Sequence, residues 1–412
     1  MAKCRLGILY YEKDPKPIAL FLKDRIFCWR EIKEVDAVFI NLAFTVPHEY
    51  INRSNFDALI LDTTLLRRRW TDDEVKDTLA KISTINTQKP YVVAVPQDEY
   101  SSSAALFKIL RVAKCDLVLT CCNKNAAEII YPAPRNFELQ QILTCYVSKR
   151  LRKVATKPSL PIQLRPIPVS YRSKTQTFAH GTNGLTKDRL GKKFLQYCNR
   201  NSISHDIKFG TENWLNGKKW LKRLQNSQCV LGAPSGSSIV NCDGKLEEKL
   251  IGMNQTERRE FYENPDFKFS GKYQKIDLSV IGPRHIEAAC FGTPQILIVD
   301  SYNDLFKPAE HYVPIKPDFS NIEDVFHIIG NHKKLKAIAQ RMRLEVLNNP
   351  LFCQTNYCKV ILVRIRQKAL NPITLTAKLS TLILKGIHFF NRRSLDIQRC
   401  YQTFKSHLKP AK

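Results

Sequence analysis

The stretch Pro283-Arg-His-Ile-Glu-Ala-Ala-Cys-Phe-Gly-Thr-Pro-Gln-Ile-Leu-Ile-Val-Asp300 decides how the rest of the chain is read. Its pattern predicts a short helix opened by Pro283 and stopped at Gly292, then a buried strand over 294–299. Proline is pre-set for a first helical position and glycine suits the residue just past a helix end. On that helix Arg284 and Glu287 are three apart, so they share one face near the N-terminus. Spare N–H groups there attract phosphate, and the Arg284 fork suits the same anion. Glu287 can accept two hydroxyl hydrogen bonds from a ribose or hexose. Together these residues offer what a nucleotide-sugar requires.

Working outward, the first 150 residues alternate apolar runs (5–11, 37–44, 58–62, 91–95, 117–121) with helix-length segments (72–85, 102–113). Runs apolar on both faces are how parallel strands under helices look, and the series implies a doubly wound sheet. Pro158, Pro161, Pro166 and Pro168 then interrupt any helix, so 158–170 reads as a linker. A second α/β series follows, with strands at 205–209, 229–232 and 295–299 and helices at 187–200, 217–226 and 283–290. The charged stretch 245–275 has no clear period and reads as an insertion or long loop. The expected division is a Rossmann-like domain at 1–157, the linker, a second Rossmann-like domain at 171–349, and a basic helical extension at 350–412.

Composition is that of a folded protein, 43% hydrophobic and 25% charged, which excludes wholesale disorder. The net charge of +27 favours an anionic partner without choosing one. Between 355 and 412 stand twelve Lys and Arg and one acid, Asp396, so +11 of the charge sits in the tail. There Leu375, Leu379, Leu382, Leu384 and Ile387 lie beside Lys378, Lys385, Arg392 and Arg393. A basic amphipathic helix on an anionic membrane surface is one reading; a helix packed on the protein with a solvated basic face is the other. Removing 355–412 is expected to leave the fold. Thirteen cysteines without a Cys-x-x-Cys pair read as reduced thiols, not as disulfides or a zinc site. No secretory leader and no membrane span are expected, which points to a cytoplasmic protein, peripheral at the inner leaflet if the tail binds there.

Three further segments carry candidate chemistry. Gly181 and Gly184 lead into a helix whose first turn holds Lys187, placed to neutralise a departing diphosphate. Ser235, Gly236 and Ser237 follow a buried strand at its carboxyl end, where doubly wound folds bind ligands. Asp98, with Glu99 second, follows an N-domain strand and suits a base that deprotonates an acceptor hydroxyl in an inverting transfer. No Asp-x-Asp occurs. Metal-free chemistry is therefore expected, with no cofactor and with Arg284, Lys187 and the helix dipole in the cation's role.

In this order, Pro96-Gln-Asp-Glu-Tyr-Ser101, Tyr171-Arg-Ser173, His180-Gly-Thr-Asn-Gly-Leu-Thr-Lys187, Leu231-Gly-Ala-Pro-Ser-Gly-Ser-Ser238, Pro283-Arg-His-Ile-Glu-Ala288 and His311-Tyr-Val-Pro-Ile-Lys-Pro-Asp-Phe-Ser-Asn321 resemble a bacterial glycosyltransferase-like family of the GT-B superfamily. That family is related to spore-maturation and surface-polysaccharide proteins. The resemblance runs to about Leu347. It implies two Rossmann-like domains facing a cleft, 1–157 for the acceptor and 171–349 for the nucleotide-sugar, and a Glu287 that hydrogen-bonds the donor's ribose hydroxyls. It also gives the retaining branch a second Glu eight positions earlier; here that position is Ser279, which leaves the stereochemical outcome open. His311 and Asp318 are expected to order the cleft.

The leading expectation is a glycosyltransferase moving sugar from a nucleoside diphosphate to a hydroxyl of a glycan or lipid-linked acceptor. The alternatives are a nucleic-acid-binding non-enzyme and a degenerate nucleotide-sugar binder without turnover. No RNP motif or zinc-finger spacing supports specific nucleic-acid recognition.

Overall fold

The computed structural model describes residues 3–13, 18–85, 89–174, 178–215, 217–251, 253–254, 256–257, 273–367 and 374–407. It divides into two compact units. The first comprises Met1–Thr120, Tyr131–Ile142 and Tyr357–Lys412; the second comprises Cys121–Ile130 and Leu143–Asn356.

The first unit holds a six-stranded sheet of β1 (Cys4–Tyr10), β2 (Val35–Asn41), β3 (Ala58–Leu61), β4 (Tyr91–Ala94), β5 (Leu117–Thr120) and β6 (Glu138–Gln141). Its order is β2-β1-β3-β4-β5-β6 with every pairing parallel. The register Ile8↔Ile60↔Val93 sets buried residues of three strands side by side. Strand β6 was not foreseen, because an edge strand reading Glu-Leu-Gln-Gln carries no apolar run.

In the second unit β7 (Ile167–Ser173), β8 (His205–Phe209) and β9 (Ser227–Gly232) precede an antiparallel pair of β10 (Ile239–Asn241) and β11 (Tyr273–Lys275). Then come β12 (Gln295–Ile298) and β13 (Val313–Ile315), completing a parallel sheet of order β13-β12-β9-β7-β8. Leu190, Phe194, Cys229, Ile296, Val313 and Leu335 lie in its core, each fully buried. Strand β11 and the helix Leu246–Ile251 account for part of the expected 245–275 loop; 258–272 lie outside the described residues.

Two expected boundaries are corrected. The proline-rich stretch 158–170 is not a linker, since its end is β7, an interior strand of the second sheet. Pro168 is tolerated there because pairing with β8 begins only at Val169, and its carbonyl accepts the Cys229 thiol at 3.1 Å. Nor is 350–412 a separate extension. From Tyr357 onward it belongs to the first unit, where the helix Leu375–His407 packs on β2 and on the helix His48–Arg53. Arg392 (2.6 Å) and Arg399 both reach the carboxylate of Glu12, which is 1% exposed. No helix among the described residues is long and apolar enough to cross a membrane.

Candidate functional site

The carboxyl edge of the second sheet gathers most of the residues singled out by sequence. In a sheet of this order the chain winds away in opposite directions at the β7/β9 boundary, leaving a crevice beyond those strand ends. The loops leaving there are Lys174 after β7 and Ala233–Ser238 after β9. The helix Pro283–Cys290 begins at the same edge, with Gly282 as its N-cap.

That helix buries His285, Ile286 and Glu287 together. Glu287 is therefore not a solvated end-of-helix charge. One of its carboxylate oxygens accepts the indole N–H of Trp220 at 2.7 Å. Arg284 lies with its guanidinium carbon 4.7 Å from the Trp214 ring centre and 5.3 Å from that of Trp220. It also donates to the Arg172 carbonyl. Lys174 approaches Trp214 at 5.0 Å, and that indole is 41% exposed. Indole faces attract cations through the ring quadrupole, so the two tryptophans orient Arg284 and hold positive charge beside Glu287. Neither tryptophan was found by sequence reasoning. The available signal was two aromatic residues, 214 and 220, flanking the start of a strongly amphipathic helix at Gly217–Asn226.

His285, also unforeseen, takes the Gly282 N–H on Nδ1 at 3.0 Å and hydrogen-bonds the Ala233 backbone. Burial, with Arg284 and Lys187 nearby, lowers its pKa to about 3, so the ring is neutral. It ties the helix N-terminus to the loop after β9. Ser279 lies on the neighbouring segment, its hydroxyl buried with no hydrogen-bond partner among the described residues.

Gly181 and Gly184 are inside the helix Gly181–Arg200, not in a loop before it. A Cβ at Gly181 would sit 2.1 Å from Ser238 Oγ, which accepts the Thr182 N–H at 2.7 Å. The close approach expected at this glycine is thus made by Ser238, a cap supplied from another segment. Lys187 lies one turn further in, half-buried, its carbonyl accepting the Tyr171 hydroxyl at 2.9 Å. Gly236, at φ 110°, abuts the Leu278 carbonyl. Ser235 pairs its backbone with Val280 and its side chain abuts Gly282. Ser237 is corrected: fully buried, it turns its hydroxyl onto Ile239 N and O at 3.1 and 2.8 Å, a structural bond.

In the first unit the two carboxylates after β4 part company. Glu99 is 1% exposed and accepts the hydroxyls of Thr120 (2.6 Å), at the end of β5, and of Tyr131, so its carboxylate is a buried structural acceptor and not a base. Asp98 is exposed at φ 53°, 3.3 Å from the Tyr100 hydroxyl. Its loop is held by the buried Arg69, which donates to the carbonyls of Leu66, Gln97, Asp98 and Ser101 at 2.7–3.1 Å. His311 accepts Lys307 N–H at 3.1 Å and Asp318 accepts Ser320 N–H at 3.0 Å, both ordering their own turns.

Two α/β units with these sheet orders define the class, and comparison with solved structures agrees. An α-glucosyltransferase in complex with UDP and a 13-mer DNA containing an HMU base superimposes with a TM-score of 0.53 at 11% identity, over 89% of this chain and all of that one. The HepE protein of Anabaena with UDP and glucose matches at 0.47 and 10% identity, over 89% and 100%. A glycosyltransferase from Rickettsia africae matches at 0.48 and 9% identity, over 89% and 98%. The first likeness shows the fold, a pair of Rossmann-like units of the GT-B kind. No protein-family model and no curated protein matches the chain.

Proposed function

We propose that the chain is a glycosyltransferase that takes its sugar from a nucleoside diphosphate, with uridine diphosphate the favoured carrier. The observation that carries this is the Glu287–Trp220–Arg284 cluster at the carboxyl edge of the second sheet. Glu287 receives ribose hydroxyls, its carboxylate held in one rotamer by the Trp220 indole. Arg284, Lys187 and the first turn of the Pro283–Cys290 helix face the diphosphate, and their charge offsets the negative charge that develops as the sugar–oxygen bond breaks. In an inverting transfer Asp98 takes the acceptor hydroxyl's proton, the oxygen attacks the anomeric carbon, and the diphosphate leaves with the electron pair. The reading needs neither metal nor cofactor. A surface-glycan or lipid-linked hydroxyl in the cytoplasm is the favoured acceptor.

A second reading places the acceptor on DNA. The +27 charge favours a polyanion, and the α-glucosyltransferase of the same fold was captured with DNA.

Thermal-shift titration with a panel of nucleotide-sugars tests the donor. A uridine or guanosine diphosphate sugar should raise the melting temperature, and Glu287→Gln should weaken its binding roughly ten- to a hundredfold, as loss of charge-assisted bonds would. A ligand shift identical in the variant removes Glu287 from the site; no shift with any nucleotide-sugar removes the function. Transfer assays offering glycan, lipid-linked sugar and HMU-containing DNA then separate the acceptors.

A further inference from the structure

The helix Leu375–His407 of the first unit carries two apolar stripes on opposite faces. Its inner stripe, including Ala377, Leu384 and Leu395, is buried against the unit. Leu384, grouped in the sequence with Leu375, Leu379 and Leu382, belongs to this inner face. Half a turn away lie Leu375, Leu379, Leu382, Phe389, Phe390 and Ile397, all exposed, Leu375 by 74% and Phe390 by 72%. Steps of three, four or seven residues join 375 to 379, 382 and 389, and 390 to 397, which keeps them on one face, and Tyr401 continues it. From 375 to 401 the line is about 40 Å long at the helical rise.

Single exposed apolar residues are ordinary, but a continuous stripe of this length marks a docking face. Its borders say what docks. Lys378 runs along one flank, as does Lys385, whose ammonium also pairs with Asp36 at 2.7 Å, and Arg393 sits within the stripe with its guanidinium 5.5 Å from the Phe389 ring centre. Asp396 is the only acid between 355 and 412. Two copies pairing through this face would bring their basic residues together. An anionic bilayer surface instead takes the leucines and phenylalanines at the acyl boundary while lysine and arginine stems reach its headgroups. We propose that the outer face of this helix seats the protein on anionic lipid. This is independent of the donor-site reading, since it uses no residue of the second unit.

Cys400 supplies the measurement. It is the one exposed cysteine of thirteen and lies on the outer face between Ile397 and Tyr401. An environment-sensitive dye on Cys400 of the full chain should shift to the blue with vesicles containing phosphatidylglycerol, and far less with phosphatidylcholine alone. The unlabelled protein should float with the anionic vesicles. The double substitution Phe389→Ser with Phe390→Ser should cut that partition by at least about tenfold, with the melting temperature and nucleotide-sugar binding unchanged. Lys378→Glu with Arg393→Glu should also weaken it, as should added salt. The proposal is overturned by flotation that survives both pairs of substitutions, or by no flotation on anionic vesicles. It is equally overturned if the stripe instead drives a concentration-dependent dimer that Phe389→Ser abolishes.

Discussion

Asp98 and Glu99 are adjacent in sequence and chemically alike, yet the backbone assigns them opposite fates. The left-handed turn at Asp98 points one carboxylate to solvent while Glu99 goes inward to two hydroxyls. Asp98→Asn should therefore lower the transfer rate by about two to four orders of magnitude with the melting temperature unchanged. Glu99→Ala should leave Thr120 and Tyr131 without their acceptor, costing about 1–3 kcal/mol in a urea titration. His285 makes a prediction in pH. Its pKa is about 3 folded against an ordinary 6.5, so below 6.5 the unfolded chain binds a proton that the folded chain refuses. Stability present above pH 6.5 is lost as pH falls towards 3, by about 1.4 kcal/mol per unit. His285→Asn, which keeps an acceptor for Gly282, should flatten that decline in denaturant midpoints measured across the range. Composition and the helix pattern pointed to Arg284 and Glu287. That Glu99 and Ser237 turn inward is set by partners distant in the chain or by a tight turn, which the residue type alone does not announce.

Among the elements, the two loops after β9 and before the Pro283–Cys290 helix lock together backbone to backbone. A methyl group at Gly236 would meet the Leu278 carbonyl at 2.1 Å, at a φ that L-residues avoid. Gly236→Ala should cost at least about 2 kcal/mol from backbone strain and displacement, seen as a lower melting temperature together with weaker donor binding. Ser238→Ala removes the cap from Thr182 and should cost about 1 kcal/mol, a loss that Ser238→Thr partly restores. The elements with strong internal signals were legible: the helix Pro283–Cys290 and strand β8 lie where periodicity put them. Strands β7 and β13 were missed because each contains a proline, Pro168 and Pro314, which argues against a strand unless the ladder's free positions are known.

At the scale of the whole molecule, the chain closes on itself by returning its last segment to the unit it began with. Glu12, buried at the end of β1, has Arg392 and Arg399 as counter-ions from a helix some 380 residues later. Removing residues from 357 onward strands that carboxylate and uncovers β2. The truncated protein is thus expected to lose the first unit's cooperative unfolding and to become protease-sensitive there, contrary to the expectation that the tail is dispensable. Arg392→Ala with Arg399→Ala should cost about 3–5 kcal/mol, as breaking a buried ion pair does. Urea unfolding followed in the full chain measures this, and unchanged stability would show Glu12 to be solvated.

The amino-acid order by itself determined two parallel α/β series, the Pro283–Cys290 helix and the shared face of Arg284 and Glu287. These follow from periodicity and terminal preferences that act over a few residues. Only the tertiary structure decided that Trp220 meets Glu287 across 67 positions, that Ser238 caps the Gly181–Arg200 helix, and that the basic tail is half core and half surface. The partner of a buried polar group and the inner face of a doubly apolar helix are fixed by burial against distant segments, and such contacts leave no local periodicity to read.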